Sequence, residues 1–263
     1  MFPSVSRRAR HVLSGVMCAA VLSGCASSTE PPRVSDASGE GFTPPPRLDD
    51  VADKTDDAPT SPLLPSAFFA DGAEAFVSWR CTPAQDLISA APKGHLRLWS
   101  GQGYYELART VVAEGERYEK GTLSFVQRGG QAHVESDNGQ LACQRDARRE
   151  STTRKAAPGV IFQARGNEPG WLLELDRETS RMTLTTDYGE HVRTLPYHVA
   201  RLDNGHQAAM TLRAHDDGTP ITVRLRARAC FDNMSGKPYP VQVSVEQGDQ
   251  TLVGCGQGVE RRD

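Results

Sequence analysis

Six cysteines occur in the 263 residues, and four of them, Cys81, Cys143, Cys230 and Cys255, lie well past the N-terminal segment. No two of these four stand at the C-x₂-C spacing of a zinc site, so disulfide formation is the chemistry they favour. Four cysteines allow three connectivities. Cys81–Cys143 with Cys230–Cys255 is the expected one, because each pair brackets one compact segment. Closing loops of about 60 and 25 residues stabilises by roughly 4 and 3.5 kcal/mol in the chain-entropy model. A second candidate is the stretch AEGERYEKG, Ala113 to Gly121, which concentrates charge between two runs that read as strands. It reads either as a solvated turn or as a loop that enters another protein's cleft. Signatures of catalysis are missing. No Gly-x-Ser-x-Gly elbow occurs, and Ser235 in NMSGK lacks that context. His191 and His198 are offset by seven positions, an odd spacing that puts them on opposite faces of a strand. No glycine-rich phosphate cradle or marked carboxylate pair appears. The expectation is a protein that is not an enzyme, with no catalytic residue, no metal and no cofactor.

The N-terminus, MFPSVSRRARH, is basic and precedes an apolar run from about Val12 to Leu22. That run is shorter than the roughly 20 residues a spanning helix needs. Basic head, short apolar stretch and small residues read as a secretory signal over residues 1–24. LSGC, Leu22 to Cys25, resembles the bacterial lipobox, which implies lipid attachment at Cys25. Acyl chains hold a protein to a membrane by burying CH₂ groups, at about 0.8 kcal/mol each. Ala26 after that cysteine favours the outer membrane by the same resemblance, with the protein facing the periplasm. Cys18 leaves with the signal. Residues 25–68 are rich in Pro, Ser, Asp and Thr and hold too few large apolar groups to offset their ordering entropy; they read as a disordered tether. A formal net charge of −3 argues against a nucleic-acid partner.

The remainder reads as all-β. Residues 69–146 carry the short, partly alternating runs FVSWRC, HLRLWS, YYELAR, TLSFVQ, QAHVES and QLACQ, with a hairpin turn at Asn138-Gly139. A unit of this size with one disulfide suggests a small antiparallel barrel, which removes exposed strand edges. Arg145 to Gly159 is polar and basic and reads as a connector, centred on 147–159. Residues 160–263 again hold strand-like runs, with turns at Asp203-Asn204-Gly205 and Asp217-Gly218. Arg224, Arg226 and Arg228 alternate with Val223, Leu225 and Ala227, which sets a basic stripe on one face of a half-exposed strand.

The first unit resembles the membrane-bound lysozyme inhibitors of c-type lysozyme. The resemblance covers about Phe76 to Gln144. It rests on an aromatic strand ending in Cys81, a Gly-x-x-Tyr loop (Gly115, Arg117, Tyr118), a second loop RGGQA (Arg128 to Ala132) and a closing Cys143. It implies a small antiparallel barrel that inserts two loops into the cleft of a c-type lysozyme, near its catalytic carboxylates. The implied contact residues are Glu114, Gly115, Arg117, Tyr118 and Arg128. Arg128 stands where the family has Lys and keeps its charge. Glu114 replaces the family's Ser, and an ionised Glu there faces like charges, with Arg117 placed to neutralise it in part. Phe125 stands loosely for the family's aromatic before the second loop.

The second unit resembles a family of uncharacterised bacterial lipoprotein domains, through ARGNEPGW (Ala164 to Trp171), CFDNMSGKPYPVQVSV (Cys230 to Val245) and GCG (Gly254 to Gly256). That resemblance implies a β-rich fold and a disulfide. Asn167, Glu168, Asp232 and Ser235 form a polar site if their two loops meet, or else cap turns. The reading that follows is an envelope-anchored lipoprotein that inhibits c-type lysozyme. The alternative is a non-inhibitory periplasmic binding or structural lipoprotein.

Overall fold

Alternation of buried and more exposed residues marks many of the strands in the computed structural model, which describes residues 63–261. The signal segment, Cys25 and most of the tether lie outside the described residues. The first eight strands are β1 (Ala75–Thr82), β2 (Asp86–Ala90), β3 (His95–Ser100), β4 (Gly103–Thr110), β5 (Glu116–Lys120), β6 (Leu123–Arg128), β7 (Gln131–Ser136) and β8 (Gly139–Glu150). Each pairs antiparallel with the next, and β8 returns to β1, so the meander closes into a barrel. Cys81 and Cys143 face each other across that closing seam and are bonded.

The second set is β9 (Val160–Asn167), β10 (Gly170–Asp176), β11 (Arg181–Thr186), β12 (His191–Asp203), β13 (Ala209–Asp216), β14 (Thr219–Phe231), β15 (Pro238–Gln247) and β16 (Gln250–Gly258). It closes in the same up-and-down order, with β16 pairing β9. Cys230 on β14 is bonded to Cys255 on β16. The chain is thus all-β, with the expected barrel and a second closed barrel where only a β-rich unit was expected. Both expected disulfides form.

The barrels share a core. Strand β3 is buried on both faces: Leu96 and Leu98 fill the first barrel, while Arg97 and Trp99 point toward the second. Phe76, Ile88, Trp99 and Tyr104 on the outer wall of the first barrel join the interior of the second in one apolar cluster. Arg149 of β8 crosses the seam. Its guanidinium lies 3.8 Å from the Tyr239 ring centroid and 5.0 Å from that of Phe76, and donates to the Pro238 carbonyl (2.6 Å) and Gln257 Oε1 (3.0 Å). Burial pulls its pKa down to about 10.

Two expected boundaries move as a result. The basic stretch after Arg145 does not start a connector at once; β8 runs on to Glu150, because β1 begins early enough to pair Ala75 with Glu150. The tether does not extend through residue 68 either. Ser66–Phe68 forms a short 3₁₀ turn whose Phe68 is fully buried, its ring centroid 5.8 Å from that of Phe162. This strap is held from three sides. Arg97 donates to the carbonyls of Ser66 (2.5 Å) and Phe69 (3.0 Å), and Trp99 Nε1 donates to that of Ala67 (2.8 Å). Glu260, 5% exposed, accepts from the backbone N–H groups of Ala70 (2.6 Å), Asp71 (3.1 Å) and Gly72 (2.8 Å). A buried carboxylate is tolerated when donors surround it in this way.

Candidate functional site

Strand direction reverses at every turn of a meander, so the β4–β5 and β6–β7 connections emerge at the same end of the first barrel. The register Glu116↔Gln127 between β5 and β6 sets them side by side. Gly115 makes the contact. Its φ is +77°, and a Cβ there would lie 2.5 Å from the Gln127 carbonyl oxygen and 2.8 Å from Arg128 Cγ. Only glycine allows both the conformation and the approach.

The charges of the loop then separate into two groups. Glu116 pairs with Arg109 at 3.4 Å. Glu119 accepts from Thr110 Oγ1 (2.9 Å) and from Arg117 (2.7 Å from Nε), and these donors hold its carboxyl below the usual range. Arg117 is therefore committed to Glu119 and does not neutralise Glu114 as expected. The side chains of Glu114 and Arg128, by contrast, make no hydrogen bond or ion pair among the described residues and stand exposed on the rim. Val111, at the start of the same loop, is 98% exposed.

Tyr118 corrects a second expectation. It is 3% exposed and faces inward with Phe125, its register partner, so it forms the floor of the loop and cannot reach a partner's cleft. Burial, followed by the nearby Glu116, raises its phenol pKa. Phe125 is itself core, edge-on to Trp79 at 5.4 Å. The β6–β7 turn is pinned from β8: Arg145 donates through its side chain to the Gly129 carbonyl (3.0 Å) and through its backbone to that of Gly130 (2.8 Å). A cavity of about 490 Å³ opens behind the rim, with Trp79, Glu116, Gln127 and Arg148 among its walls. Sequence reasoning missed Val111 and Arg145. A bare valine inside a polar loop was a usable signal for the first; the second depends on a long-range register that no local pattern carries.

On the second barrel the expected polar group assembles in part. Asn167 donates to Asp232 Oδ2 (3.0 Å) and Asn233 Oδ1 (2.6 Å). Asp232 Oδ1 accepts from the Ser235 hydroxyl (2.7 Å), the Ser235 backbone (2.7 Å) and the Met234 backbone (3.2 Å). Asp232 thus caps its own turn, and Asn167 ties that turn to β9. The Glu168 side chain is exposed and makes no hydrogen bond or ion pair among the described residues.

Burial pushes the Asp232 carboxyl up, but the donors from Ser235, Asn167 and Met234 outweigh it and hold it low. A carboxyl held low in the folded state stabilises fully above its unfolded pKa, and that stabilisation is lost as pH falls through the folded value. An NMR titration of Asp232 should therefore give a midpoint below the ordinary value of about 3.9, and Asn167→Ala should raise it. A midpoint at or above the ordinary value would contradict this geometry.

Comparison of the sequence with protein-family models and with curated proteins returns no match.

Proposed function

We propose that the first barrel inhibits a c-type lysozyme by placing its β4–β5 and β6–β7 loops in the enzyme's cleft. The observation that carries this reading is the seating of Gly115 against Gln127 and Arg128, which places Glu114 and Arg128 together on one rim. The resemblance of Cys81, the Gly115–Tyr118 loop, Arg128 and Cys143 to the inhibitor family supports it further.

A lysozyme cleft holds one protonated and one ionised carboxylic residue. Arg128 offers such a site a guanidinium with no internal partner, able to grip a carboxylate through two parallel hydrogen bonds. Glu114 is left without a paired cation on the rim, since Arg117 is engaged by Glu119. Val111 adds apolar contact at the loop's exposed end. Lysozymes of this class are usually basic, and Glu114 with its neighbouring acids then assists encounter by charge attraction. Anchorage through a lipid on Cys25 in the outer membrane, facing the periplasm, belongs to the same proposal, because it puts the inhibitor where a lysozyme attacking the wall would pass.

Arg128→Ala should weaken inhibition by about 2 kcal/mol, roughly thirty-fold in the inhibition constant. Steady-state inhibition assays of the folded, oxidised variant check this, and an unchanged constant would remove Arg128 from the contact. A second reading, a non-inhibitory envelope binding module, is favoured by a groove on the second barrel.

A further inference from the structure

We propose that the second barrel binds a small amphiphilic anion, a carboxylate or phosphate carried on a short apolar chain, in the groove between β14 and β9. This inference does not use the rim of the first barrel. The groove has a volume of about 370 Å³. The outer face of β15 and β16 forms its floor, where Ser244 pairs with Val253 and the Val253 side chain is left 65% exposed. The Cys230–Cys255 bridge and Phe231 close one end.

The register places an arginine at either edge of this floor. Arg226 lies opposite Gln242, Gln242 opposite Cys255, and Cys255 opposite Arg165. Strand spacing puts the two arginine Cα atoms about 14 Å apart, within reach of one ligand held between two long side chains. Neither charge is neutralised. The Arg226 side chain makes no hydrogen bond or ion pair among the described residues, and the Arg165 side chain donates only to the neutral Gln163 Oε1 at 3.3 Å.

The third guanidinium of the groove, Arg224, is taken by Glu246. The only acid among the lining residues, Asp232, has both oxygens occupied by Asn167, Ser235 and Met234. The site is also preformed. A Cβ on Gly254 would overlap the Arg165 carbonyl and come 2.7 Å from Trp171 Cζ2, and Trp171 Nε1 donates to the Val253 carbonyl at 3.3 Å, so the floor is packed from beneath. Two free forks call for an anion of carboxylate or phosphate shape. The bare valine and the half-buried phenylalanine beside them call for apolar cover, as in other preformed ligand clefts.

Calorimetric titration of the disulfide-intact protein with octanoate, octyl phosphate, octanol and inorganic phosphate tests this. Octanoate or octyl phosphate should bind at least ten-fold more tightly than octanol, and the better of the two identifies the headgroup. The Arg165→Gln/Arg226→Gln variant should lose that advantage, with an unchanged thermal unfolding profile showing that it folds. Val253→Ser should weaken the octyl ligands and leave phosphate alone unaffected. The proposal is overturned if the anions bind no better than octanol, if phosphate matches octyl phosphate, or if the double variant binds as the parent does.

Discussion

Phe68→Ala lowers the stability of the two-barrel body by about 3–5 kcal/mol, the range for removing a fully buried aromatic ring from a packed core. The size follows from where the ring sits. Phe68 belongs to the strap at the start of the folded body, and its ring lies against Phe162 inside the cluster shared by both barrels. The strap cannot collapse into the space left by the ring, because Arg97, Trp99 and Glu260 fix its backbone on either side of Phe68. Urea unfolding followed by tryptophan fluorescence checks this: Trp99 lies in the shared cluster and Trp79 in the interior of the first barrel, so both barrels are reported. A shift below about 1 kcal/mol would show that the strap is dispensable and that the shared core does not hold the barrels together.

The second large effect is expected from Cys81→Ala/Cys143→Ala. The bridge closes a loop with a sequence separation of 62 residues, and its loss should cost about 4 kcal/mol in the chain-entropy model. It also joins β1 to β8, the one pairing of the first barrel that is not made by neighbours in sequence. The other pair has a separation of 25 residues, and its removal should cost less, about 3.5 kcal/mol. Denaturant midpoints of the two double variants, measured side by side, check both the magnitude and the order. Equal or reversed costs would mean that the barrel seam is held by its ladder and not by the bridge.

Much of the local architecture could be read from residue patterns, because local patterns carry it. The turn at Asp217-Gly218 has both residues at positive φ, the conformation that Asp-Gly favours between strands. Arg224, Arg226 and Arg228 lie outward while Val223, Leu225 and Ala227 are buried, as the alternation requires. Hidden features are those in which a polar residue is buried or a distant segment completes the structure. Arg97 interrupts HLRLWS and disguises a strand buried on both faces. Phe68 and Phe69 follow a Pro-rich stretch and read as its end, yet Phe68 enters the core. Glu260 carries no local signal of the strap it caps, since the two are separated by 190 residues in sequence. The rim was legible in its residues but not in its pairings: the loop sequence names Glu114 and Arg128, and the structure shows Arg117 bound to Glu119, two residues on along β5.

The central claim is that the paired loops of the first barrel plug a lysozyme cleft. Its most direct test is the residual activity of a c-type lysozyme titrated with the folded, disulfide-intact protein. The account predicts stoichiometric loss of activity, with the rim accepting glutamate at position 114. Full activity at large molar excess would contradict it, and would leave AEGERYEKG as a charged turn on a barrel that serves another partner.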